Sequence, residues 1–399
     1  LEAMQRAQEY DTEFQAAYAA YLAASEASNQ TTSAVLPQVD FNAFMKRGDT
    51  ETERPDATTS SDNNSDGYSL DLNQVIYDKT TFENLDLGDA TVAKAVADLE
   101  VAKQNTIVRV ATAYFEVLTA IDTLETATAE KIAIGQQLEQ SQERFNVGLS
   151  AITDVKEQQA SYDVAVANEI LAINELSNAR EALRFIINLY PENLEVAKED
   201  MPLVIPEPMN IDAWVEKSIQ GNQSMISARH AVEIADSSYE GSKGGHYPTL
   251  SLNASYDVVD SEARDFSGVT TIPANTSTDA SVMLNLNVPI YRGGLTSSTV
   301  RQKLSELDQA KALQEQEKRR TVGLARSAFL SLQADIATVR ARKQAVISTQ
   351  TSLDATLAGY DAGTRTSVDV LLSQRQLFSA KRDYSVARYT YLSNSLVLR

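Results

Sequence analysis

A segment ending in Gly148 returns 215 residues later, and this repetition restricts the possible folds more than any other feature of the chain. Phe145-Asn146-Val147-Gly148 aligns with Tyr360-Asp361-Ala362-Gly363, and Asp154-Val155 with Asp369-Val370, at one offset (363 − 148 = 369 − 154 = 215). The same offset pairs Ala113-Tyr114 with Ala328-Phe329, Val117 with Leu332, Ile121 with Ile336 and Leu124 with Val339. Upstream, Leu36-Pro37 answers Tyr247-Pro248 and Ile76-Tyr77 answers Ile290-Tyr291. A period of half the chain is far too long for a solenoid and marks two copies of one structural plan.

Each copy reads as helix, strand, loop, strand, long helix, tight turn, helix. The first repeat covers 1–190, with a helix to about residue 33, a strand hairpin over 36–77, a long helix over 81–145 and a helix over 150–190. The second covers 211–399, with a helix, a strand hairpin over 248–291, a long helix over 295–360 and a helix over 365–399. Between them, 191–210 carries Pro191, Pro202, Pro206 and Pro208 and reads as a linker or irregular belt. Val110, Tyr114, Val117, Ile121 and Leu124 recur at alternating steps of four and three, as do Ala325, Phe329, Leu332, Ile336 and Val339. That is a coiled-coil seam. A helix over 81–145 reaches about 95 Å at 1.5 Å per residue. The two shorter helices of a half, laid end to end, match it, so each half is expected to be one long helix flanked by two stacked shorter ones. Trp214, on a helical pattern with Val215 and Ile219, is expected in a core.

Four stretches change from helical to two-residue periodicity. Tyr68, Leu70 and Leu72 alternate with polar residues, as do Leu250 to Val258 and Val282 to Ile290, and Val39 with Phe41 begins a weaker version. Two readings fit: membrane β-strands of about ten residues with one lipid-facing side, or half-buried strands of a soluble sandwich. Tyr77, Tyr247 and Tyr291 near the strand ends suit an interfacial girdle. The connections Lys46–Gly67 and Val259–Ala280 are long and polar and read as outside loops. Four strands cannot close a barrel, so the pattern favours a cyclic oligomer without fixing its number.

Composition removes other classes. A net charge of −20 opposes nucleic acid and anionic lipid surfaces as partners. No cysteine is present, which excludes disulfides and thiolate metal sites. Leu1-Glu2-Ala3-Met4 has no basic or apolar leader, as expected of a mature or trimmed chain. No run of about 18 apolar residues exists for a membrane helix, which says nothing against strands. His230 and His246 lie apart without a ligand motif, and Gly241-Ser242-Lys243-Gly244-Gly245 precedes a strand, the wrong order for a phosphate loop. Neither an enzyme nor a cofactor is expected.

The chain resembles the TolC family of outer-membrane efflux and type I secretion channels. The resemblance covers nearly all of it and is carried by Ala111-Thr112-Ala113-Tyr114-Phe115, Arg144-Phe145-Asn146-Val147-Gly148-Leu149, Ala151-Ile152-Thr153-Asp154-Val155, Pro289-Ile290-Tyr291-Arg292-Gly293-Gly294 and Ala358-Gly359-Tyr360-Asp361-Ala362-Gly363-Thr364-Arg365-Thr366. It implies an α+β membrane protein: a homotrimer whose twelve-stranded β-barrel, four strands per chain, continues into a long α-helical coiled-coil barrel. It implies the bacterial outer membrane with extension into the periplasm. Its implied partners are outer-membrane lipid, a periplasmic adaptor and an inner-membrane pump of RND, ABC or MFS type. Relatives continue past Arg399, and part of the equatorial belt is expected there. Rival readings are a periplasmic coiled-coil adaptor and a structural trimeric surface protein.

In that family the inner helical turns close the channel. The matching turns are 144–155 and 358–370. By resemblance, Tyr360 bonds Asp154 within a subunit, and Arg365 bonds Thr153 and Asp154 of a neighbour. Asp369 matches a cation-selective constriction, while a second acidic ring falls on Leu372. The turns Val147-Gly148-Leu149 and Ala362-Gly363-Thr364 match the adaptor-docking surface. Ser150 stands where the second copy has Arg365, so only one hairpin is expected to carry the moving latch. The residues alone also allow plain capping, because Thr366-Ser367-Val368-Asp369 is a capping box.

Overall fold

Two long stretches without proline run as single helices. In a computed structural model describing residues 2–54, 57–192, 194–196, 201–266 and 270–398, the order is α1 (Glu2–Tyr10), α2 (Thr12–Ser33), β1 (Gln38–Lys46), β2 (Asp49–Arg54), β3 (Ala57–Asp62), β4 (Ser65–Tyr77), α3 (Lys79–Asn146) and α4 (Ile152–Ile187). There follow α5 (Ile211–Gly221), α6 (Gln223–Lys243), a 3-10 turn (Gly244–His246), β5 (Thr249–Ser261), β6 (Arg264–Phe266), β7 (Thr270–Ile272), β8 (Asn275–Asn287), α7 (Leu295–Asp361) and α8 (Ser367–Val397). The chain divides into two compact units, one of Leu1–Ala19, Asp98–Met225 and Glu317–Arg399, the other of Ala20–Ala97 and Ile226–Gln316. Each unit draws on both sequence repeats.

The second unit holds a four-stranded antiparallel sheet in the order β1-β4-β5-β8. Its register sorts the alternating residues by face. Val39, Leu72, Ala254 and Val282 form one cross-strand row, and Phe41, Leu70, Tyr256 and Ala280 the next. The opposite face carries Asp40, Asp71, Ser255 and Ser281, then Asn42, Ser69, Asp257 and Asp279. The apolar face is exposed, with Phe41 at 67% and Leu284 at 62%. A soluble sandwich would cover such a face with a second sheet. Strands β1 and β8 are the two edges, each with one neighbour in the chain.

The two polar connections differ from plain loops. Each contains a short two-stranded ladder, β2 with β3 and β6 with β7. Below the sheet, Thr31 of α2 lies against Gly88 of α3, where a side chain would collide. Thr80 donates to the Gly241 carbonyl at 3.1 Å, tying the start of α3 to α6.

The first unit contains the coiled-coil seams. Val110, Ala113, Val117 and Ala120 of α3 are buried against Leu176, Leu183, Ile186 and Ile187 of α4 and Ala7 of α1. Leu332, Ile336 and Val339 of α7 are buried with Tyr391 of α8. All five seam residues expected on α7 are buried. On α3, Val110 and Val117 are fully covered, while Tyr114, Ile121 and Leu124 line the margin of the same cluster. Shorter helices meet end to end: Arg6 of α1 donates to the Ile187 carbonyl at 3.4 Å, where α4 stops on Asn188 with a left-handed φ of 50°.

The expected single helix over 1–33 is broken between α1 and α2 at Asp11, which is buried and ion-paired to Arg109 of α3. Asp11 also accepts the Glu13 amide, so it caps α2. The second copy breaks at Asn222, whose side chain accepts the Met225 amide at 3.2 Å. These breaks stand at the offset that relates Pro37 to Pro248 (222 − 11 = 248 − 37 = 211). The irregular segment before α5 is held by side chains. The Val204 amide donates to the Tyr391 hydroxyl at 2.7 Å, and Tyr114 donates to the Glu195 carbonyl at 3.0 Å. Trp214 is half-buried and not core; its indole N–H donates to the Pro208 carbonyl at 2.9 Å.

Candidate gate at the paired helix turns

A helix that must reverse within five residues needs a way to satisfy its last carbonyls, and a left-handed glycine provides it. Gly148 has φ of 78° and Gly363 has φ of 74°. In the first turn the Leu149 amide donates to the Arg144 carbonyl at 2.8 Å and the Gly148 amide to the Phe145 carbonyl at 2.9 Å. In the second, Thr364 donates to Gly359 at 2.8 Å and Gly363 to Tyr360 at 3.0 Å. These two pairs of bonds are related by the 215-residue offset, so the duplication persists to single hydrogen bonds, and the second turn adds an Arg365 amide donated to the Gly359 carbonyl at 3.2 Å. Val147 and Leu149 project into solvent, and Ala362, Gly363 and Thr364 are likewise exposed.

The helices that leave these turns begin differently. Thr366 caps α8: the Asp369 carboxylate accepts the Thr366 amide and hydroxyl, both at 2.9 Å, and the Asp369 amide donates to the Thr366 hydroxyl at 3.2 Å. The Thr366 amide, then its hydroxyl, then the nearby Arg365 charge hold the Asp369 carboxyl below its ordinary range, against partial burial. The equivalent cap of α4 is Ala151, which has no side-chain donor or acceptor. Asp154 therefore starts α4 without a capping partner, half-buried, beside exposed Thr153. One carboxylate is committed to its own helix and the other is available to a partner.

The two turns also differ in their cations. Arg144, in the last turn of α3, sets its guanidinium 4.7 Å from the centre of the Tyr360 ring. Tyr360 itself packs beside the apolar cluster of Leu353, Val370 and Leu377. Arg365 lies over Gly359, so a Cβ there would stand 2.7 Å from Arg365 Cγ. Tyr360 and Asp154 make no hydrogen bond with one another among the described residues. An Arg365 contact to Thr153 and Asp154 of a neighbour involves a second copy. Leu372, one turn beyond Asp369 on α8, is 53% exposed.

Arg144 is the tip residue that reading the sequence for site residues passed over. Its signal is a departure from the repeat: Arg144 aligns with Gly359, while Ser150 aligns with Arg365. Each turn has one arginine, before the glycine in the first copy and after it in the second. Among the described residues, no group of three or more His, Cys, Asp or Glu side chains is arranged to hold a metal.

The comparison with known proteins follows the same boundaries. The outer membrane efflux protein family matches residues 3–189 and 214–399, one segment for each repeat. The chain is 38% identical over 385 residues to outer membrane protein TolC of Escherichia coli (strain K12), covering 94% of this chain and 76% of that protein. It is 28% identical over 393 residues to the alkaline protease secretion protein AprF of Pseudomonas aeruginosa, covering 96% and 80%. Among solved structures, the outer membrane protein VceC of Vibrio cholerae superposes with a TM-score of 0.81 at 16% identity, over 99% of this chain and 94% of that one. With both repeats matched and the sheet and helices shared, the chain belongs to the outer membrane efflux protein family.

Proposed function

We propose that three copies of this chain join their sheets edge to edge into a twelve-stranded barrel in the bacterial outer membrane, an exit duct for efflux and type I secretion. The observation that carries this is the sheet itself: an exposed apolar face, a polar face on its other side, and an edge strand at each end. Closure through further copies satisfies both edges and turns the apolar face to lipid. Twelve strands leave room for a water-filled lumen lined by the polar rows. Membership of an efflux family and likeness to a protease secretion protein support the two kinds of cargo. The protein acts as a passive conduit, with export energy supplied by an inner-membrane pump through a periplasmic adaptor.

The paired turns form the gate. Tyr360 and Arg365 belong to the moving hairpin, and Thr153 with Asp154 to the fixed one. Asp154 suits that role because Ala151 leaves its carboxylate uncommitted. Asp369 supplies the cation-selective group, and the turns at Gly148 and Gly363 receive the adaptor. The test is electrical: purified protein in a planar bilayer should give discrete, cation-preferring conductance, and native mass measurement in detergent should give a trimer. A detergent-independent monomer without conductance would instead identify a soluble adaptor-like or structural protein.

A further inference from the structure

We propose that Arg144 is a positioning residue of the gate, holding the moving hairpin by the face of the Tyr360 ring. This rests on the reading of the paired turns as a gate and adds a contact that the repeat does not predict. In the first unit, Arg144 ends α3 and Tyr360 ends α7, so the interaction spans the two hairpins of one chain. The guanidinium lies 4.7 Å from the ring centroid, within the roughly 6 Å range in which a cation is attracted to a ring's negative face. Acidic residues stand close in sequence at Glu143, Asp154 and Asp361, yet among the described residues the contact Arg144 makes is to the ring.

The repeat explains why this contact is one-sided. The counterpart of Arg144 is Gly359, and the counterpart of Tyr360 is Phe145. A symmetric second contact, Gly359 to Phe145, has no cation. The space beside Gly359 is filled by the stem of Arg365 from its own hairpin. The first hairpin therefore grips the second, and among the described residues no matching cation–ring contact runs the other way. A hold on the ring leaves the Tyr360 hydroxyl unused and able to donate to a carboxylate such as Asp154. The two holds are chemically separable.

Conductance of the full chain in planar bilayers separates them. Arg144→Gln should shift the closed-to-open balance at least about two- to fivefold toward open, the lower range for a cation–ring contact, while Arg144→Lys should retain most of the closure. Arg144→Gln should have the same effect in a Tyr360→Phe background, which keeps the ring, and no further effect in a Tyr360→Leu background, which removes it. Melting temperature and trimer yield should not change. Should Arg144→Gln fail to assemble, Arg144→Met keeps the aliphatic stem and serves in its place. A silent Arg144→Gln beside an opening Arg365→Ser overturns the role of Arg144 and leaves the gate standing. An undiminished Arg144→Gln effect in the Tyr360→Leu background also overturns it. If Arg144→Gln, Arg365→Ser and Tyr360→Leu are all silent, the gate reading falls and this inference with it.

Discussion

Arg365 rests on Gly359: the absence of a side chain at 359 is what lets the Arg365 stem lie against the end of its own helix. The second hairpin is thus shaped so that its arginine is placed before any neighbour is met. Gly359→Ala should displace Arg365 without harming the helix, since alanine is favoured over glycine in a helix interior by about 1 kcal/mol. We expect higher conductance with unchanged trimer stability. Arg365→Ala removes the clashing Cγ, so the Gly359→Ala effect should disappear in that background; single-channel recording of the three variants checks this.

The left-handed turns give a second prediction. Gly148→Ala and Gly363→Ala each place a Cβ at positive φ, costing roughly 1–2 kcal/mol. Because open space surrounds both positions, the loss is conformational and not a clash. Equal losses should appear in thermal melts, and a markedly smaller loss at one position would show that its turn can relax. Gly148→Trp and Gly363→Trp should leave trimers intact and impair adaptor docking, read as lost drug efflux in cells.

The cap on α8 makes one tip sensitive to acid. A carboxyl held below its ordinary value of 3.8 contributes stability above that value, and the contribution is lost as pH falls through the lowered one. Protection factors of the amides at the start of α8, which divide out the intrinsic pH dependence of exchange, should therefore fall as pH drops below about 4, while α4, which starts at Ala151, shows no such step from capping. Thr366→Ala should cost about 1 kcal/mol at neutral pH and weaken that step. Asp369→Ala should lower cation selectivity, measured as a reversal potential.

The sheet predicts a face-dependent response. Leu284 and Asn285 are neighbours on β8 and point to opposite sides. Leu284→Arg should cost about 2–4 kcal/mol near the bilayer midplane and reduce folded barrel in vesicles, whereas Asn285→Arg should fold and alter selectivity. Similar losses from both would place lipid on neither face.

The helices, the four long strands and the duplicated turns are legible because periodicity and glycine placement encode them directly. The ladders inside the two polar connections are not. Asp49–Arg54 and Ala57–Asp62 have no apolar face, so alternation has nothing to mark. The break at Asp11 carries neither proline nor glycine, and an ion pair between the buried Asp11 and the part-exposed Arg109 sustains it. The 211-residue offset from Asn222 was its available signal. Arg144 on Tyr360 joins residues 216 apart in sequence (360 − 144), and no local pattern reports such a contact. The capping role of Asp369 was readable from Thr366 three residues earlier, whereas the freedom of Asp154 follows from the alanine in the matching place.

The two edge strands carry a consequence for genetics. In the proposed barrel, where several copies complete one sheet, no chain keeps a defect to itself. In a ring of three, equal synthesis of a sound copy and an assembling but blocked copy leaves only about one ring in eight wholly sound. A blocked variant that still pairs through β1 and β8 should thus be dominant, whereas one that cannot pair should be recessive.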